Sequence, residues 1–178
     1  MQKQHIFTGV GAIIIPSSIF KILYDIGIQL MADNWICRTG TAMGSDMAFR
    51  ESYMAKLNNM EVYAAKDIIS NAFNNAELAR NIVRNYHPCY DRIQSEYAKA
   101  LLARNVYQVL GSDLNTPSEI VFCYTDNGET VGGTSIAIRI AQHYDIPIVN
   151  LGNPKHLNAI VNYLNNGVFI ERLHNKFN

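Results

Sequence analysis

Short apolar runs bounded by Gly, Pro, Asn and Ser alternate along this chain with stretches whose apolar residues recur every three to four positions. That alternation predicts strands and amphipathic helices in turn. His5–Val10 reads as a first strand, with a small-residue loop at Gly9-Val10-Gly11. Pro16-Ser17-Ser18 then opens a helix whose apolar face carries Phe20, Leu23, Tyr24, Gly27, Leu30 and Met31, and Asn34 closes it. Trp35-Ile36-Cys37 begins a second strand. Thr39–Asp46 leads from it into a helix bearing Met47, Ala48 and Phe49, and Met60–Ala64 reads as a third strand. A β-α-β-α-β opening implies a parallel sheet covered on both faces.

The segment around 67–111 reads as mostly helical. Asn75–Tyr86 is one amphipathic stretch, broken by His87-Pro88. A longer helix is expected from Asp91 to Leu110, presenting Ile93, Tyr97, Ala100, Leu101, Arg104, Val106, Tyr107 and Leu110, with Gly111 as its stop. Beyond Pro117, Glu119–Tyr124 is a clean strand. A glycine-rich turn, Asp126–Gly133, feeds a helix over Thr134–His143. Ile146–Leu151 reads as another strand, Asn153-Pro154 opens a last helix to about Leu164, and Val168-Phe169-Ile170 is expected as an edge strand. The predicted fold is therefore α/β, a doubly wound, mostly parallel sheet (Rossmann-like) with a helical middle segment. Residues 1–178 form one domain, with a helical insertion around 67–111.

Composition narrows this picture only slightly. At 178 residues the chain is long enough to bury about 70% of its unfolded surface without a metal or disulfide staple. Fifteen basic residues balance fifteen acidic ones, so no global field gathers nucleic acid. The basic residues are scattered (Lys56, Lys66, Arg80, Arg84, Arg92, Lys99, Arg104, Arg139, Lys155, Arg172, Lys176) rather than set in a visible row. Cys37, Cys89 and Cys123 have no zinc spacing and read as free thiols in a reducing compartment. No apolar run reaches the length of a membrane span or a leader, which makes a cytoplasmic protein the expectation.

Three strand-to-helix junctions are rich in small residues: Thr8-Gly9-Val10-Gly11, Thr39–Asp46 and Thr125–Ser135. In a doubly wound sheet such junctions sit at the carboxyl ends of strands, where ligands bind. Glycine permits close backbone approach, and the free N–H groups and dipole of the next helix favour an anion. The candidate ligand-binding residues are Gly9, Val10, Gly11, Arg38, Thr39, Gly40, Thr41, Gly44, Ser45 and Asp46. Arg104, Asn105, Thr125, Asp126, Gly128, Gly132, Gly133, Thr134 and Ser135 complete the set. The spacing excludes GxxxxGK[ST], a strict GxGxxG with an acidic ribose anchor, and a GxSxG elbow. No metal or cofactor is implied, and neither Ser45 nor Ser135 has an identifiable partner base.

The run Gly40-Thr41-Ala42-Met43-Gly44-Ser45-Asp46-Met47-Ala48 resembles the small-residue motif, ending in Asp, of the SLOG superfamily. It is similar in particular to the Rossmann-like domain of DNA-processing protein A. Gly132-Gly133-Thr134-Ser135 with its helix, followed by Ile146-Pro147-Ile148-Val149-Asn150, resembles that superfamily's second loop. The resemblance spans roughly residues 5–155 and is specific at these two loops. It extends to short phage-encoded proteins of this type, which share Ala103-Arg104-Asn105 before Leu110-Gly111. It implies a nucleotide or nucleotide-derived ligand, sensed or sequestered, with interference in a host defence signal as one setting. It implies a single-stranded DNA-binding recombination mediator as an alternative.

Two departures bear on mechanism. Members of the superfamily carry Gly-Ser-Arg after the first strand, whereas Gly9-Val10-Gly11 has no arginine, leaving Arg38 as the candidate substitute. The related cytokinin-activating phosphoribohydrolases carry Pro-Gly-Gly-x-Gly-Thr-x-x-Glu. Here the proline and the glutamate three residues after threonine are missing, so a hydrolase would have to use Asp46 or Glu129. Asp46 either caps a helix start or accepts from ribose hydroxyls. His87-Pro88-Cys89-Tyr90-Asp91 is either a loop with Asp91 as an N-cap or a pocket lid. Arg104 needs a partner, either a ligand anion or a carboxylate of the protein. The apolar helical middle suits a homo-oligomer interface.

Overall fold

The computed structural model describes residues 4–177, with side chains as far as Asn175. The extreme ends of the expected 1–178 domain and the side chain of Lys176 lie outside the described residues. The elements are β1 (Ile6–Gly11), α1 (Ser17–Ala32), β2 (Ile36–Gly40), α2 (Ser45–Ser52), β3 (Met60–Tyr63), α3 (Ala65–Ile69) and α4 (Ala76–Tyr86). They continue with α5 (Glu96–Leu110), β4 (Ile120–Tyr124), α6 (Thr134–His143), β5 (Ile148–Asn150), α7 (Pro154–Asn165) and α8 (Phe169–Phe177). The strands form one five-stranded sheet in the order β3-β2-β1-β4-β5, and every neighbouring pair is parallel. This is a doubly wound, Rossmann-like α/β fold.

Alternation along the strands divides the core between the two faces. Phe7, Cys37, Ile120 and Phe122 pack into one core with α1, α2, α7 and α8. Val10, Val121 and Cys123 pack into the other with α3, α4, α5 and α6. The helical middle is thus no appendage. It is the crossover from β3 to β4, and Ala79, Val83, Ala100, Ala103, Val106 and Leu110 are fully buried within this chain. Ile69, Leu78 and Tyr97 of the same segment stay exposed.

Several expectations need correction. The helix expected from Asp91 begins at Glu96, because Ser95 caps it by accepting from the Ala98 N–H at 3.2 Å. Asp91 instead lies in a 3-10 turn over 90–92 and pairs with Arg84 at 3.0 Å. Tyr97, placed on the apolar face, is exposed. The buried stripe of α1 runs through Ile19, Leu23, Ile26, Gly27 and Leu30, leaving Phe20, Tyr24 and Met31 half-buried. The strand expected over 146–151 shortens to Ile148–Asn150. The expected edge strand at 168–170 is the start of α8, and α7 is therefore not the last helix. Phe169 and Leu173, one helical turn apart, are both buried in the core beneath β4 while Glu171 between them is exposed, a pattern that a strand would not give.

Cys37 and Cys123 are buried in β2 and β4, and Cys89 is exposed; all three are free thiols. Burial pushes the Cys123 thiol up to about 12 and the Cys37 thiol well above its ordinary value. Among the described residues, no helix is long and apolar enough to cross a membrane.

The helical assignment of the C-terminal segment is testable by chemical denaturation. Phe169→Ala and Leu173→Ala should each cost about 3 kcal/mol. Glu171→Ala, which a strand would place on the same face, should stay within about 0.5 kcal/mol of the parent.

Candidate functional site

From β1 the chain winds outward to β2 and β3, then returns through α3–α5 to β4 on the other side of β1. Connections therefore diverge at the carboxyl ends of β1 and β4, which is where open α/β sheets bind ligands. A cleft of about 440 Å³ opens there, within the usual range for small-molecule sites. Of the residues expected at a site, Val10, Gly11, Asp46, Arg104, Asn105, Thr125, Asp126, Gly132, Gly133 and Thr134 line it.

The centre of the floor is an ion pair between two helical layers. Arg104 on α5 places Nη2 3.3 Å from Oδ2 of Asp46 on α2, with Arg104 7% and Asp46 1% exposed. The approach depends on Gly40. A Cβ there would lie 2.4 Å from Asp46 Oδ2, 2.7 Å from the Arg104 guanidinium carbon and 2.7 Å from Gln108 Nε2. Asp46 does not cap its helix, since the N-cap is Gly44; its carboxylate accepts from the Ala42 N–H of the preceding loop at 3.4 Å. Burial pushes the Asp46 carboxyl above its ordinary value, and Arg104, the Ala42 N–H, Arg50 and Gln108 pull it back only part of the way. Arg104 is under-satisfied: Nε and Nη1 are buried without a hydrogen-bond partner. An orphaned guanidinium nitrogen in a cleft is costly unless something else meets it.

The surrounding loops are held by bonds that explain several other candidates. Gly44, at φ 70°, brings the α2 start against the β1–α1 loop, where a Cβ would lie 2.4 Å from the Ala12 and Ile13 carbonyl oxygens. The Ser45 N–H and hydroxyl both donate to the Ala12 carbonyl, at 3.1 and 3.2 Å. The Thr39 hydroxyl donates to the Gly9 carbonyl at 2.7 Å, and Gly9 itself is packed against Phe49. Asn105 donates to the Gly133 carbonyl at 2.8 Å, fixing the entry to α6, while the Ser135 hydroxyl donates to Gly132 O at 2.7 Å. Gly9, Thr39, Gly40, Gly44 and Ser45 thus shape the cleft without lining it, as does Ser135. Thr41 is exposed beside it, and Gly128 packs against Asn153 away from it.

Arg38 is a correction. It points to the other end of α5, where Nε donates to Glu61 Oε2 at 2.8 Å and Nη1 to the Thr116 carbonyl, with the guanidinium against Gly111. It is a buried tie between strands and does not replace a missing anion contact in the cleft. Glu129 is exposed and does not line the cleft either.

Other contributors escaped the sequence reading. Arg50 donates to the Gly40 and Ala42 carbonyls at 2.5 and 2.9 Å and holds the β2–α2 loop from behind. Asn150, at the end of β5, bonds both the Thr125 N–H at 3.1 Å and the Thr125 hydroxyl at 2.7 Å. Ile13, Ile14, Leu101, Leu102 and Val131 supply apolar walls. A signal was available for two of these, since an isoleucine run directly after a glycine loop is unusual for a surface turn.

Compared with family models, curated proteins and solved structures, the chain matches none.

The raised proton affinity of Asp46 has a definite sign. A carboxyl held above its unfolded value adds stability below that value and loses it as pH rises through the folded one. The stability of the parent relative to Asp46→Asn should therefore fall as pH is raised from about 4, as measured by denaturant titration at a series of pH values. A difference independent of pH, or rising with it, would contradict the burial-dominated assignment.

Proposed function

We propose that this protein is a SLOG-type, DNA-processing-protein-A-like domain that binds a nucleotide or nucleotide-derived ligand in the cleft between β1 and β4, as a sensor or sequestering protein. The observation that carries this reading is the orphaned, buried Arg104 guanidinium in a cleft that also contains the start of α6. A helix start presents free N–H groups and positive potential, and a guanidinium is the preferred side-chain partner of phosphate. Interference with a host nucleotide signal is one setting that fits such a binder, by analogy with the phage-encoded proteins it resembles.

A single-stranded DNA-binding role is less well supported. Backbone tracking needs a row of cations, whereas the charged residues lining this cleft are Arg104, Asp46 and Asp126. One observation favours a second reading, N-glycosidic hydrolysis. Asp46 is a buried acid of raised proton affinity in the same cleft, the environment that suits a general acid.

Native mass spectrometry of the purified protein and thermal unfolding against nucleoside mono-, di- and triphosphates, cyclic nucleotides and dinucleotides test the leading reading. A bound nucleotide or a raised melting temperature is expected, with about 2.7 kcal/mol of added stability at a hundredfold excess over Kd. Neither an adduct nor a shift with any of them would overturn it. Release of free base from a nucleoside monophosphate, lost in Asp46→Asn, would establish the hydrolase reading instead.

A further inference from the structure

The lining of the cleft sets a charge problem for an anionic ligand. Its carboxylates, Asp46 and Asp126, outnumber its one guanidinium, Arg104. Asp126 is exposed beyond the end of β4, where its carboxylate accepts from the Tyr124 hydroxyl at 3.1 Å, so water and salt screen its charge. Asp46 is 1% exposed and shares Arg104 directly, with Oδ2 3.3 Å from Nη2. Its charge is therefore the one that a bound anion meets at close quarters and with little screening.

The groups facing Asp46 leave it dependent on that one partner. Arg104 and the uncharged Gln108 amide come from α5, Arg50 from α2 itself and the Cys37 thiol from β2. Arg50 is occupied with the Gly40 and Ala42 carbonyls, and burial keeps the Cys37 thiol neutral. The loop from β1 to α1, set against the start of α2, has no ionisable side chain. Lys21 and Asp25 of α1 pair with each other at the surface, at 2.7 Å. An anion that draws on the Arg104 guanidinium takes away the main support of the Asp46 carboxylate and adds a like charge beside it. Both effects favour the neutral acid. Burial already holds the Asp46 carboxyl above its ordinary value, so the further rise required is smaller.

We propose that the cleft binds its anion together with a proton from solvent, which Asp46 takes up as the ligand's negative charge settles on Arg104. This rests on the nucleotide-binding reading above and adds to it a regulation by pH that one residue sets. Because the bound anion raises the proton affinity of Asp46, lower pH strengthens binding through the same coupling. Affinity is level while Asp46 is protonated in the free protein. It falls by up to about tenfold per pH unit once the free carboxyl ionises, and levels off again when the carboxyl of the complex ionises too.

Calorimetric titration of the full chain with 3′,5′-cyclic AMP and with AMP tests it, from about pH 5 to about pH 8.5 and in two buffers of different ionisation enthalpy at each pH. The phosphodiester of cyclic AMP does not titrate in this range, so a proton taken up on binding belongs to the protein. Uptake approaching one proton per cyclic AMP is expected in part of the range, with affinity at least about tenfold weaker at the upper end than at the lower. Asp46→Asn should bind cyclic AMP at the upper end at least as tightly as the parent does at the lower, without uptake. Asp126→Asn should keep the uptake. The phosphate of AMP titrates by itself near pH 6, so for AMP the difference between the parent and Asp46→Asn should show the same uptake. The buffer comparison on the parent needs no variant, so it decides even if Asp46→Asn fails to fold. Binding without proton uptake, or uptake that persists in Asp46→Asn, overturns the proposal while nucleotide binding stands. So does weaker binding by Asp46→Asn, the result expected if Asp46 accepts from ligand hydroxyls instead. If neither compound binds at any of these pH values, the nucleotide-binding reading falls for these ligands and the proposal with it.

Discussion

One guanidinium joins the two helical layers at the carboxyl end of the sheet. Arg104 comes from α5, in the layer packed on Val10, Val121 and Cys123; Asp46 comes from α2, in the layer packed on Phe7 and Phe122. They meet because Gly40 ends β2 without a Cβ. The contact is a buried charge pair at 3.3 Å, and its geometry leaves part of the guanidinium unmet. Such a pair is weak evidence for stability, because the cost of dehydrating both ions offsets their attraction. Its stronger consequence is positional, since it holds the start of α2 and the middle of α5 at a fixed separation on either side of the switch point. The loops that line the cleft are then secured individually: Arg50 on the β2–α2 loop, Asn105 on the α6 entry, Asn150 on Thr125.

Much of the fold was legible because its strands are short apolar runs and its helices are amphipathic. α6 was read at its observed limits, since Gly132-Gly133 marks one end and a continuous apolar stripe fills the rest. The C-terminal segment was misread because Val168-Phe169-Ile170 is too short for its period to show. The exposure of Glu171 between buried Phe169 and Leu173 distinguishes a helix from an edge strand. Asp91 as a cap, following His87-Pro88, was one of two readings of that cluster. The helix starts at Glu96 because Ser95 offers its hydroxyl to the right N–H.

The glycine-rich junctions located the cleft, yet they did not separate residues that touch it from residues that build it. Gly40, Gly44 and Ser45 carry the motif but act through close approach and loop hydrogen bonds. Arg104 was singled out as a cation among apolar neighbours, and its partner is Asp46. Arg38 looked equivalent in sequence, but the register of β2 beside β3 sets it opposite Glu61. Strand parity decides that difference, and a one-residue slip would exchange the two faces. The aliphatic wall was overlooked because an isoleucine run after a glycine loop blends into the neighbouring strand and helix patterns.

Backbone and guanidinium chemical-shift mapping of the isotopically labelled protein on addition of AMP tests the geometry most directly. The largest changes are expected at the Arg104 Nε–H and at the amides of Gly132–Ser135, with smaller ones at Ile13 and Ile14. Saturating changes confined to any other surface, with Arg104 and the start of α6 unmoved, would contradict a site at the β1–β4 switch point.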